Sequence, residues 1–240
     1  MKSIYPTGHL AQFWNIFVFV TSAALASSQP DATTGPTDHL IPPTSEIDAA
    51  YKTLLSQKLF VTPANYVRVV IMPSSSAGET AIAIYSGTRA SGQRNVFLTC
   101  TKADKNLWYS VSPSNPNRGT QPSIKVTRTD APFPSSAALA VSEAFDEMIA
   151  RTKPLEPGNR IVLDGTNVEF EVQRGAQTSR RGLLTPYAKG QFTQALHRLT
   201  KALTNYCDAG PGKREQLARE VEAEANQLAQ AVRRQRPKVQ

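Results

Sequence analysis

The chain has 240 residues, 40% of them hydrophobic, which is ample for one domain with a continuous core. Lys and Arg number 27 against 19 Asp and Glu, and the formal net charge of +8 favours anionic partners without naming one. His9 and His39 precede the first periodic segment, so Ser/His/Asp or Cys/His chemistry would rest on His197 alone.

Lys2 is followed by the apolar run FWNIFVFVTSAALA, which Asn15, Thr21 and Ser22 interrupt and which is too short to span a bilayer. With the small-x-small pattern Ala24-Leu25-Ala26, it predicts a cleaved signal peptide over residues 1–26, a secreted or periplasmic protein and no transmembrane span after cleavage. No cysteine follows the run, so an N-terminal lipid anchor is excluded. Residues 27–43, SSQPDATTGPTDHLIPP, are rich in Ser, Thr and Pro without periodicity and read as a flexible leader. His39 lies in it, and neither a metal site nor a cofactor is predicted.

An α+β domain is predicted over residues 44–208. Ser45 and Asp48 supply a capping signal before a helix that puts Ile47, Tyr51, Leu54 and Leu55 on one face. Five β-like runs follow, NYVRVVIM, TAIAIYS, NVFLTC, LWYSV and SIKVTRT, separated by turn-forming segments with no helix between them. That arrangement predicts an antiparallel meander. From Ser135 to Ile149 the period becomes helical. RIVL, Asp164-Gly165 and TNVEFEV then predict a hairpin, with Val168, Phe170 and Val172 inward and Glu169, Glu171 and Gln173 toward water.

A further helix is expected from about Ala188 to Cys207, with Phe192, Leu196, Leu199, Leu203 and Tyr206 in one stripe. His197 falls about 140° around that helix from Phe192, as a solvated residue of the polar face. Residues 209–240 read as a helical appendage with a basic tail; its stripe is Leu217, Val221, Ala225, Leu228 and Val232. It can dock, pair with a partner or fray, and its alanines suggest weak packing. The expected architecture is an antiparallel sheet of about six to seven strands with helices packed on it, plus this appendage.

Cys100 ends a strand-like run and Cys207 ends a helical stripe. An even count in an exported chain predicts a structural bridge between them. Its closure removes roughly 4 to 5 kcal/mol of unfolded-chain entropy.

The chain has no GxSxG elbow, HExxH, phosphate loop or EF-hand pattern. Paired-carboxylate hydrolysis would draw on Asp130, Asp164, Glu169 and Glu171, of which the last two are also plain solvent positions of an alternating strand. The aromatics coincide with strand and helix stripes, so no specific nucleic-acid surface is indicated.

From Val172 to Cys207 there is no acid, but Arg174, Arg180, Arg181 and Lys189 are present and form the candidate anion-binding surface. Guanidinium forks take carboxylate or phosphate in bidentate fashion, and Gly175 and Gly182 in the same loop would let backbone amides approach an anion. The following helix would add its N-terminal dipole. The competing reading is internal neutralisation, because residues 130–171 hold eight acids against three basic residues.

The order LDGTNVEFEV, RRGLL and TPYAKGQFTQALHRLTKALTNY resembles the C-terminal half of small exported bacterial proteins without assigned activity. The resemblance implies a bacterial exported protein and carries over no catalytic residue. The functional expectation is an exported, non-enzymatic binding or interaction module for an anionic envelope polymer, lipid or protein. The alternatives are a carboxylate-based envelope hydrolase, and an inhibitor or assembly partner acting through the C-terminal helix.

Overall fold

The computed structural model describes residues 38–43, 49–60, 65–88, 94–112, 123–154, 165–175 and 178–235. The signal segment, most of the leader, the Ser45–Asp48 cap, the RIVL strand and the end of the basic tail lie outside them.

The element order is α1 (Ala49–Leu59), β1 (Asn65–Met72), β2 (Thr80–Thr88), β3 (Arg94–Ala103), α2 (Leu107–Val111), β4 (Val126–Pro132), α3 (Ser135–Ile149), β5 (Asn167–Gln173), β6 (Ser179–Leu184), α4 (Gln191–Asp208) and α5 (Pro211–Arg234). The strands form one six-stranded sheet in the order β4-β3-β2-β1-β5-β6, and every neighbouring pair is antiparallel. The first four strands are the expected meander. After α3, the chain returns to lay β5 against the free edge of β1 and then adds β6.

Because side chains alternate across each strand, the sheet has two distinct faces. One carries Val67, Val69, Ile82, Ile84, Leu98, Val168, Phe170 and Val172 into a large core with α3, α4 and α5. Phe145 and Phe170 meet there edge to face, 4.9 Å between centroids. The other face carries Met72, Ala81, Ala103 and Leu183 into a smaller core with Tyr51, Leu55 and Leu59 of α1 and Leu107 of α2.

The disulfide joins Cys100 of β3 to Cys207 of α4, with Cα atoms 6.0 Å apart, so it fastens the helical layer to the second strand of the sheet. Lys102 and Asp208 repeat the connection on the surface, with Nζ 2.7 Å from Oδ1. The C-terminal helix docks. Val221, Ala225, Leu228 and Val232 of α5 are buried in the large core with Ala137, Ala140 and Ala144 of α3. The alanines that suggested weak packing instead let the helices approach closely. Arg233 clamps the pair, reaching Glu143 and Glu147 of α3 at 2.9 Å each, and Arg198 of α4 reaches Glu224 of α5 at 2.8 Å.

Four local readings are corrected. LWYSV is the short helix α2 rather than a strand, because a fully buried carboxylate captures its first amides. Glu79 accepts from Leu107 N at 2.7 Å, Trp108 N at 3.2 Å and Tyr51 Oη at 2.8 Å. Asn106 caps the same end by accepting from Tyr109 N. The expected hairpin is also not formed at β5, whose two edges pair with β1 and β6, while its other arm, RIVL, lies outside the described residues. Gly165, at φ +107°, instead bonds Ser74 beyond the end of β1.

The supposed Gly/Arg loop contains strand β6. The leader, for its part, is fixed where it is described: Ile41 exchanges two backbone hydrogen bonds with Leu183, and Leu40 is fully buried. A Cβ at Gly182 would sit 2.6 Å from Leu40 Cδ1, so this glycine makes room for the leader rather than for an anion.

Glu79→Ala is expected to cost on the order of 3 kcal/mol in urea unfolding, since it strips two buried donors and one part-buried donor of their acceptor. Glu79→Gln keeps one acceptor oxygen and should cost less. A loss under about 1 kcal/mol for the alanine variant would show that α2 is anchored by other contacts.

Candidate functional site

Strand register sets where the charges go. A single cross-strand row runs Asp130, Thr99, Ala83, Arg68, Glu171, Arg181 from β4 to β6, on the face that also carries α1. In β6 the neighbouring Arg180 pairs with Val172, which points into the large core, so Arg180 and Arg181 leave the sheet on opposite faces.

The four candidate anion-binding residues therefore do not form one patch. Arg180 Nη1 lies 3.2 Å from Asp146 Oδ1 of α3. Arg174 Nε donates to the same oxygen at 2.9 Å, and its Nη2 pairs with Asp146 Oδ2. Arg181 turns the other way, 3.7 Å from Glu169 and 3.6 Å from Glu171. Lys189 is exposed in the turn before α4 and has no ion pair among the described residues. Neutralisation within the fold thus accounts for Arg174 and Arg180.

The helix terminus is occupied as well. Asp38 Oδ1 accepts from Phe192 N at 2.8 Å and Thr193 N at 3.0 Å, so a carboxylate of the chain itself takes the anion position at the start of α4. Gly175 belongs to the β5–β6 turn, where its carbonyl accepts from Gln173 Nε2.

Arg181 opens onto a cleft of about 180 Å³ between α1 and the sheet. Lys52, Leu55 and Ser56 line it from α1, followed by Phe60; Arg68 and Val70 come from β1, Glu169 and Glu171 from β5, and Arg181 from β6. Arg68 packs its guanidinium 4.9 Å from the centre of the Phe60 ring and lies 3.8 Å from Glu171. Its Nε is buried with no hydrogen-bond partner among the described residues.

Arg68 and Arg181 differ from the other ion-paired arginines. Among the described residues, Arg128, Arg174, Arg180, Arg198, Arg219 and Arg233 each hydrogen-bond their carboxylate. The cleft pairs, at 3.6–3.8 Å, are too long for that and leave guanidinium donors without a hydrogen-bonded carboxylate among the described residues.

Arg68, Lys52 and Phe60 were not foreseen. The signal was present in NYVRVVIM, where Arg68 shares the parity of Val70 and Met72 and is the charged position of an otherwise apolar strand. Glu169 and Glu171 are not simple solvent residues, for both line the cleft. Asp130 cannot join them, since four strand spacings place it about 19 Å from Glu171; it is held instead by Arg128 and Thr99. Asp164 lies outside the described residues.

His197 is half-buried rather than solvated and makes no hydrogen bond among the described residues. Burial holds its imidazole below the ordinary value, so it is neutral at physiological pH.

Burial raises the Glu169 carboxyl above its ordinary 4.5; the Arg181 guanidinium opposes this, the Glu171 charge adds to it and Lys52 opposes it. A carboxyl raised in the folded state contributes stability below its unfolded value and loses that contribution as pH rises through the folded one. Glu169→Gln cannot ionise, so its stability relative to wild type should increase between about pH 4 and about pH 7. Urea midpoints at the two pH values measure this, and a pH-independent difference contradicts it.

The chain matches no protein-family model, and neither a curated protein nor a solved structure matches it.

Proposed function

We propose that the chain is an exported, non-enzymatic binding module that takes an anionic ligand in the cleft between α1 and the charged face of the sheet. The observation that carries this reading is the pair of guanidiniums, Arg68 and Arg181, that face one carboxylate, Glu171, without hydrogen-bonding it. Such donors satisfy an incoming anion in fork geometry. Arg174 and Arg180, held by Asp146, play no part in it.

Export to an oxidising compartment, secreted or periplasmic, is supported by the apolar N-terminal run and by the buried Cys100–Cys207 bridge. No helix among the described residues is long and apolar enough to cross a membrane. Capture of a partner by the apolar stripe of α5 has lost its surface, because α3 and α4 cover that stripe.

One observation favours a second reading, the carboxylate hydrolase. Glu169 and Glu171 share the cleft about 6.7 Å apart along the strand, one raised by burial and the other flanked by two arginines.

One experiment separates the two. The purified chain is titrated against polyglutamate and against anionic lipid vesicles across a salt series, while soluble products released from isolated envelope polymer are followed. Binding should weaken about tenfold in Arg181→Gln and remain unchanged in Arg180→Gln. Equal binding by all three proteins overturns the cleft reading. Product release that Glu169→Gln abolishes would put the hydrolase in its place.

A further inference from the structure

We infer that the cleft is built for a small monocarboxylate bearing an apolar group, with its carboxylate between Arg68 and Arg181 and its apolar group against Leu55, Phe60 and Val70. This inference rests on the binding reading above and specifies the ligand. The size of the site sets the first limit. At about 180 Å³, the cleft is below the roughly 300–1,000 Å³ that encloses a drug-sized ligand, so it accommodates a small molecule or one end of a larger one.

Charge sets the second limit. Both guanidiniums approach Glu171 from neighbouring strands, Arg68 Nη1 at 3.8 Å from Oε2 and Arg181 Nη2 at 3.6 Å from Oε1. An anion beside them therefore also lies near Glu171 and Glu169. A dianionic phosphate doubles its repulsion from those carboxylates together with its attraction to the guanidiniums, so at this mixed site the shape of the anion decides. A planar carboxylate, moreover, matches the guanidinium fork in bidentate geometry.

The third limit comes from the walls. Leu55 lines the cleft from α1, Val70 follows Arg68 on the same face of β1, and the Phe60 ring already supports the Arg68 guanidinium at 4.9 Å. A ligand with a branched aliphatic group next to its carboxylate buries apolar surface and fills the arginine donors at once. Two sources offer this chemistry, a free short-chain acid and the C-terminal carboxylate of a peptide.

The test is an NMR and calorimetric titration of the purified chain with N-acetylleucine, N-acetylleucinamide, inorganic phosphate and a short peptide ending in a free leucine carboxylate. N-acetylleucine should shift the amides of Arg68, Glu171 and Arg181, and the amide and phosphate should bind at least about tenfold more weakly. Arg181→Gln should lower acid affinity about tenfold. Ser56→Trp, which obstructs the cleft from an exposed position of α1 while leaving every charge in place, should abolish binding. Tighter binding of the peptide supports the proposal with a peptide end as the source, and tighter binding of N-acetylleucine supports it with a free acid.

Equal affinity for acid and amide overturns it, as does acid binding that survives both variants. Phosphate or polyglutamate binding that depends on Arg181, with no response to the acid, sinks the monocarboxylate while leaving the anion-binding reading intact. Absence of binding to every anion sinks both.

Discussion

Strand β6 pairs with β5 so that Arg181 stands opposite Glu171 and Arg180 opposite Val172, and the charged side of the molecule follows from that register. A shift by one residue would exchange the two arginines between faces and drive Leu184 out of the large core. The hydrophobic pattern forbids this, because Val168, Phe170, Val172 and Leu184 are all buried beneath α3, α4 and α5. Apolar burial therefore dictates the positions of the polar groups. It sends Arg180 toward Asp146 and commits Arg181 to the cleft under α1.

The two faces differ in how they are held. On the larger face, the disulfide and the Lys102–Asp208 pair tie α4 to β3, and the Arg233 clamp ties α5 to α3, so this layer is fixed at several separated points. The smaller face relies on one buried carboxylate. Glu79 joins Tyr51 of α1 to the first amides of α2 and so fixes both helices over one half of the sheet. Next to that apolar half lie Arg68, Glu169, Glu171 and Arg181, and the boundary between the two is where the cleft opens. The proposed ligand site, built on the paired strands β1, β5 and β6, needs little reorganisation to accept a ligand, which lowers the cost of association.

Much of the architecture was legible in the sequence because it follows from local periodicity. The alternation in NVEFEVQ gave β5 its inward face, the helical stripe of α4 was complete, and the two cysteines fell on elements that meet. What escaped depended on partners distant in the chain. LWYSV has the aromatic and β-branched content of a strand, and Glu79, 28 residues upstream of Leu107, joins the Asn106 cap in making it a helix. SRRGLL looked like a loop because its charges and glycine hide the strand; Glu171 and Leu40 explain those residues, and neither is a sequence neighbour. Asp38 likewise caps a helix 154 residues away. The candidate site was half visible: Arg181 was named, but Arg68 passed as one charge in an apolar strand, and its cation–π partner Phe60 follows the end of α1.

The register of β6 is the claim on which this account stands, and cross-strand cysteine pairing tests it directly. Gln173 and Ser179 are register partners at the turn end of the hairpin. Under mild oxidation, the Gln173→Cys/Ser179→Cys variant is predicted to form a second disulfide, identified by peptide mapping in a mass spectrometer. The shifted pair, Gln173→Cys/Arg180→Cys, is predicted to remain reduced. Preferential cross-linking of the shifted pair would place Arg181 on the other face of the sheet and contradict the account.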